Sequence, residues 1–95
     1  PDVLEEVIDG IGDYNNEKSV QFLQQFYKIS TEQEVKKDIL GALSDSKIET
    51  AVDVLINLIT KEKNFEVKKY GIRKLGEMKS EKARKMLREI LFKQK

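Results

Sequence analysis

The segment Val67–Leu87, VKKYGIRKLGEMKSEKARKML, aligns without a gap on Val35–Leu55, VKKDILGALSDSKIETAVDVL. It aligns again on Val3–Leu23, VLEEVIDGIGDYNNEKSVQFL, and the shift is 32 residues each time. Val3, Val35 and Val67 coincide, followed by Ile8, Leu40 and Ile72, and then by Ile11, Leu43 and Leu75. After a shared turn come Glu17, Glu49 and Glu81, then Ser19, Ala51 and Ala83, then Leu23, Leu55 and Leu87. Beyond the quoted segments, Phe26, Leu58 and Ile90 coincide, as do Tyr27, Ile59 and Leu91. Each column keeps one physical type. Chance helical periodicity drifts over such distances, so a generic six-helix bundle explains this register poorly.

Within each unit the apolar residues recur at helical spacing, and sustained strand-like alternation is absent. Six helices are predicted, over about 2–11, 16–29, 32–43, 47–61, 65–76 and 80–93. Thr31 with Glu34, and Ser46 with Glu49, have capping-box spacing, in which a hydroxyl and a carboxylate satisfy free N–H groups at a helix start. In the first helix of a unit the stripe Val35, Ile39, Leu40, Leu43 is wide enough to pack on two neighbours. In the second, the small residue at Ser19, Ala51 and Ala83 lets the paired helix approach closely. Glu17, Glu49 and Glu81 put negative charge in the first turn of that helix, where it opposes the helix dipole. Gly71, where the sister units have Val7 and Ile39, is read as room for a bulky neighbour, with Phe65 and Tyr70 the candidates. The expected fold is all-α: one α-solenoid of antiparallel helix hairpins, with units at about 2–33, 34–65 and 66–95.

The run from Val67 to Ala83, with Met86-Leu87 after it, resembles a HEAT-type repeat, closest to the short HEAT-like form also found in phycobilin lyases. The features shared are Val followed by a basic residue, Leu75-Gly76 ending the inner helix, an acidic turn, then Ala83 and paired aliphatics on the outer helix. Val35-Lys36, Leu43-Ser44-Asp45, Ala51 and Leu55 repeat the pattern, as do Ile11-Gly12-Asp13 and Leu23. The resemblance covers essentially the whole chain and implies a solenoid whose inner helices line a concave surface. It is specific for fold and weak for function. The family's usual Arg after Val is Lys36 and Lys68 here and Leu4 in the first unit. Its Asp at the preceding turn is Ser30 and then Glu62, which argues against an Asp–Arg ladder between repeats. Counted from outer to inner helix, the chain holds two complete units between two half-units. Its last helix keeps Met86, Leu87, Ile90, Leu91 and Phe92, so the expectation is a longer array or an end face paired with another molecule.

The composition removes most chemistry. The 95 residues, three units less one, contain no Cys, no His and no Trp, and the one Pro is Pro1. Thiolate nucleophiles, disulfides, imidazole bases and zinc sites built on sulfur or nitrogen ligands are therefore excluded. No apolar run is long enough to span a membrane and no signal peptide is visible, so a cytoplasmic domain is expected. Asp13, Asp45 and Glu77 lie in turns one repeat apart, at about 10 Å per helix layer, too far for one metal ion. The chain is too short to enclose a tetrapyrrole, and the aromatic and acidic cluster of HEAT-like DNA glycosylases is not matched. No catalytic residue and no cofactor is assigned, and the chain is read as non-enzymatic.

Charge is the more informative signal. The formal total of +1 is the sum of −5 over residues 1–32, −1 over 33–64 and +7 over 65–95. Solvent-facing positions of the inner helices follow the same trend, from Glu5, Glu6 and Asp9 to Lys36 and Lys37, then to Lys68, Lys69, Arg73 and Lys74. The candidate contact set is Lys36, Lys37, Lys68, Lys69, Tyr70, Arg73 and Lys74. The expected function is a protein-interaction scaffold that presents this surface to a partner protein of complementary charge. Binding of a nucleic-acid phosphate backbone by the basic half is the alternative. A solvated face that only keeps the stack soluble is the bland one. Opposite charge at the two ends also permits head-to-tail self-association, which salt would screen.

Overall fold

A computed structural model of the chain describes residues 17–93. Five α-helices fill this range: α1 (Glu17–Ile29), α2 (Gln33–Asp45), α3 (Glu49–Lys61), α4 (Phe65–Glu77) and α5 (Glu81–Lys93). Every helix has 13 residues and three-residue turns separate them, so successive helices start 16 residues apart. The described residues are all-α and contain no strand. The helix expected over 2–11 lies outside them. Each helix packs against the next and the next but one, which sets α1, α3 and α5 in one layer and α2 and α4 in the other. Among the described residues no helix is long and apolar enough to cross a membrane.

The four turns share one geometry. The N–H groups of Ser30, Ser46, Glu62 and Met78 donate to the carbonyls of Tyr27, Leu43, Ile59 and Leu75 at 3.2–3.3 Å. At Ser46, Glu62 and Met78 the chain leaves the helix in extended backbone, with φ of −73° at each. No left-handed glycine is needed to stop these helices. Gly76 accordingly lies inside α4, not beyond it. The same three turn residues fold back onto the core and are buried.

Helix starts differ from the expected capping boxes. Glu32 and Ile48 hold the N-cap positions of α2 and α3, and neither has a side-chain cap. Ser46 sits two residues too early and accepts from the Ile48 N–H at 3.4 Å. Side-chain caps occur instead where the sequence shows only breakers. Asn64 Oδ1 accepts from Val67 N at 3.1 Å, and Ser80 Oγ accepts from Ala83 N at 3.3 Å. Each satisfies a donor that the first helical turn leaves unpaired. The first-turn acids Glu17, Glu49 and Glu81 stand where expected.

The core follows the repeated columns. Val35, Ile39, Leu40 and Leu43 of α2 are buried, as are Val67, Gly71 and Leu75 of α4. Ala51 and Ala83 are fully buried, whereas Ser19 in the same column is half-buried. Helix α3 is covered most completely, through Ala51, Val52, Val54, Leu55, Ile56, Leu58 and Ile59. Removing a Leu or Ile side chain of this size from water stabilises the fold by about 1.5–3 kcal/mol. Lys82 and Asp53 pair across α5 and α3 on the exposed side.

Gly71 does make room for a bulky side chain, but the neighbour is neither Phe65 nor Tyr70. Phe65 is 73% exposed. A Cβ on Gly71 would lie 2.6 Å from Ile59 Cγ1, 3.1 Å from Ile59 Cδ1 and 3.3 Å from Leu40 Cδ1. Sequence separation hid this pairing, because it crosses from α3 to α4 through the interior. Ile59 is β-branched, fully buried and stiff at χ1, so its Cγ1 cannot swing aside cheaply. Overpacking costs about 1–3 kcal/mol against about 1 kcal/mol gained by replacing a helical glycine with alanine. Gly71→Ala is therefore expected to lower stability by about 1 kcal/mol in urea denaturation. On an Ile59→Ala background the same change should become neutral or stabilising; equal losses on both backgrounds would contradict the contact.

Candidate functional site

Five of the seven candidate residues come together around one aromatic ring. Lys69, Tyr70, Arg73 and Lys74 project from α4 at spacings that share a helix face. Lys37 reaches the same ring from α2, which packs alongside. Lys37 Nζ is 5.9 Å from the centroid of Tyr70, Arg73 Cζ is 5.2 Å away and Lys74 Nζ is 5.5 Å away. Lys37, Glu66, Lys69, Tyr70 and Arg73 line a groove of about 270 Å³. The ring leans back onto α2 because position 41 is glycine. A Cβ there would stand 3.3 Å from the Tyr70 hydroxyl oxygen, closer than most real contacts.

Each cation over the ring is attracted by its quadrupole, at about 0.5–1 kcal/mol for an exposed pair. The cations also repel one another. Glu34 faces Lys37 at 3.9 Å and Glu77 faces Lys74 at 3.4 Å, and both carboxylates are largely solvated. Such exposed pairs relieve little of the crowding. An anionic group entering the groove would meet several positive charges and an amphipathic ring already held in place. Arg73 adds a planar donor fork suited to a carboxylate or a phosphate.

The other two candidates are elsewhere. Lys68 lines a smaller groove of about 160 Å³ with Phe65, Lys69 and Ile72. Lys36 turns away from the basic row into a buried polar cluster. Its Nζ lies 3.2 Å from Glu62 Oε1 and 5.4 Å from the centroid of the Tyr27 ring. Glu62 is 8% exposed, accepts a hydrogen bond from the Tyr27 hydroxyl and accepts another from the Asn64 N–H at 2.9 Å. One carboxylate thus ties α1, α2 and the α3–α4 turn together. The acid–base pair Lys36–Glu62 lies within the 34–65 unit, and the Tyr27 hydroxyl links it to the unit before. Neither Tyr27 nor Glu62 stood out in the sequence as a polar partner, although Glu62 occupies the turn position where the resembled family has Asp.

Burial pushes the Glu62 carboxyl pKa up, but hydrogen bonds from Tyr27, the Asn64 N–H and Lys36 outweigh it and hold it below the ordinary 4.5. Burial first, then donation to Glu62 and that carboxylate's charge, push the Tyr27 phenol far above its ordinary 10.0. Tyr27, Lys36, Glu62, Lys28, Asn57, Leu58, Lys61 and Lys63 also bound a groove of about 310 Å³. Its floor carboxylate is already satisfied, and its outer lysines sit near the C-terminal ends of α1 and α3, where they complement the dipoles.

Asp45 and Glu77 share a groove of about 520 Å³ with Glu49, Lys47 and Lys79. Asp13 lies outside the described residues, as do Glu5, Glu6 and Asp9. Among the described residues no group of three or more acidic side chains is placed to hold a metal ion.

The buried cluster generates a two-sided pH test. A lowered carboxyl pKa contributes stability that is present above 4.5 and is lost as pH falls through the folded value. A raised phenol pKa contributes stability that is present below 10.0 and is lost as pH rises beyond it. Glu62→Gln should flatten the acid limb and Tyr27→Phe the alkaline limb of unfolding free energy against pH. At neutral pH Glu62→Ala should cost about 2 kcal/mol, since a hydrogen bond to a charged group is worth about 1.5–3 kcal/mol and Lys36 keeps partial access to water. Parallel pH profiles for wild type and both variants would rule the cluster out as a stabilising element.

No protein-family model, no curated protein and no solved structure matches this chain.

Proposed function

We propose that the chain is an α-solenoid of HEAT-like hairpins and acts as a protein-interaction scaffold, with the α2–α4 surface as its contact face. Support for the architecture comes from the regular helix starts and from the alternation of helices between two layers. The observation that carries the function is the convergence of Lys37, Arg73 and Lys74 on Tyr70 above a groove that Lys69 also lines. The partner that fits is an acidic, extended protein segment. Its carboxylates would neutralise the crowded cations, and an apolar side chain between them would cover the Tyr70 ring. Tyrosine and arginine are the residue types that most often carry binding energy at such surfaces.

A phosphate backbone is the second reading, favoured by the net +7 of residues 65–95. Against it, Glu34, Glu66 and Glu77 punctuate the basic row at close range. A uniform polyanion would run over these carboxylates, whereas a peptide can place its charges between them.

A labelled glutamate-rich peptide carrying one leucine, and a duplex oligonucleotide, should be titrated in parallel at two salt concentrations. Peptide binding is expected to weaken about tenfold, or about 1.4 kcal/mol, for Tyr70→Ala and for Arg73→Glu separately. Lys36→Ala should leave affinity nearly unchanged, because its charge is engaged by Glu62. Tight duplex binding that charge reversal of Lys68, Lys69 and Arg73 abolishes, with no peptide binding, would replace the first reading with the second.

A further inference from the structure

The groove beside Tyr70 concentrates more charge than a single carboxylate can match. Its lining carries three cations, Lys37, Lys69 and Arg73, against one carboxylate, Glu66, a net +2 within about 270 Å³. Neighbouring acids offset little of this. Glu34 is largely exposed and 3.9 Å from Lys37, and Glu77 stands against Lys74, outside the lining. Exposed pairs of this kind are weakened by water and salt.

The cations are also held in place. Lys37 comes from α2 and Lys69 and Arg73 come from α4, so the groove is built across the joint between two packed helices. Tyr70 is half-buried, with its hydroxyl over Gly41. It keeps Lys37 Nζ and Arg73 Cζ within 5.9 Å and 5.2 Å of one ring centroid. A guanidinium fork engages two oxygens of an anion in parallel, and both oxygens of a carboxylate are then committed to it. A phosphomonoester keeps a third acceptor oxygen for an ammonium group and carries about −1.5 to −2 at pH 7.

We propose that this groove recognises a phosphorylated side chain of its partner segment, with Arg73 forking two phosphate oxygens while Lys37 and Lys69 neutralise the remaining charge. The inference rests on the reading of this face as the contact surface for an extended acidic segment, and it makes that contact dependent on phosphorylation. A nucleic-acid phosphodiester carries one charge per group, so it matches the +2 lining no better than a carboxylate does. Glu66 repels an incoming dianion, so its neutralisation strengthens binding, the reverse of what loss of a contact residue does.

Three versions of the leucine-bearing glutamate-rich peptide, with serine, glutamate or phosphoserine at the central position, test this by calorimetry on the whole chain. At pH 7.5 the phosphoserine peptide should bind about tenfold more tightly than the glutamate peptide, and the serine peptide most weakly. At pH 5.5, below the second phosphate pKa of about 6, about a quarter of the phosphate is dianionic, and the advantage should fall to about threefold. The chain contains no histidine, the side chain whose ordinary charge change falls in this window, and the glutamate peptide reports any change in the protein itself. Arg73→Lys keeps the charge and removes the fork; it should erase most of the phosphoserine advantage and leave the glutamate peptide within about twofold. Glu66→Gln should tighten phosphoserine binding about threefold. Both substitutions lie at exposed positions. Inorganic phosphate alone should compete at least about tenfold more weakly than the phosphoserine peptide, because it leaves the Tyr70 ring uncovered. Equal affinity for phosphoserine and glutamate, an advantage undiminished at pH 5.5 or in Arg73→Lys, or equal competition by inorganic phosphate would overturn the proposal and leave the scaffold reading standing. Binding of none of the three peptides would overturn both.

Discussion

Burial of α3 on both sides is the constraint on which the rest of the structure depends. Seven of its residues are buried, from Ala51 to Ile59, and it packs against α1, α2, α4 and α5. A 13-residue helix standing alone in water is marginal, so most of its stability must come from packing. That packing sets the neighbours' sequences in turn. Ile59 fills the space that Gly71 leaves open, and Leu58 covers the approach to the Tyr27–Glu62 cluster. The turns then need no special backbone, because Ser46, Glu62 and Met78 close them with extended residues tucked into the core.

Glu62 shows how a polar group can be carried inside such a stack. An unpaired buried carboxylate would cost several kcal/mol and would respond by taking up a proton. Here Tyr27, Lys36 and the Asn64 N–H supply donors from three separate segments, and the carboxyl stays charged. The cluster consumes one lysine of the basic row and leaves the others on the surface. Placement of charge on this face thus follows from packing beneath it: Lys36 is drawn inward by Glu62, while Lys37, its neighbour in sequence, is left to reach Tyr70.

Much of the helix layout was legible in the residues. The expected 16–29 and 65–76 segments differ from α1 and α4 by one residue at one end. Four of the five buried residues of α2 lie on the expected stripe, because a period of 3.6 marks a face directly, and Ala42 is the fifth. Starts were harder to place at α2 and α3, where a hydroxyl three residues before a glutamate suggested a cap that the backbone does not use. Hydroxyl-to-amide capping depends on displacements of one or two residues, and composition does not resolve them. The site divides in the same way. Five of seven candidates share the Tyr70 ring, but Gly41 and Glu62, which decide where that ring and Lys36 sit, gave no periodic signal.

The sequence by itself determined the period, the helical faces, the cancelling charges and the absence of thiol and imidazole chemistry, since each is a property of residue type and spacing. Only the tertiary structure decided which side chains meet across helices. Ile59 against Gly71, Tyr70 over Gly41 and Glu62 with Lys36 and Tyr27 are pairings between residues 12 to 35 positions apart. Such contacts depend on the angle and offset at which two helices pack, which differences of one methylene can change and which no repeat length encodes.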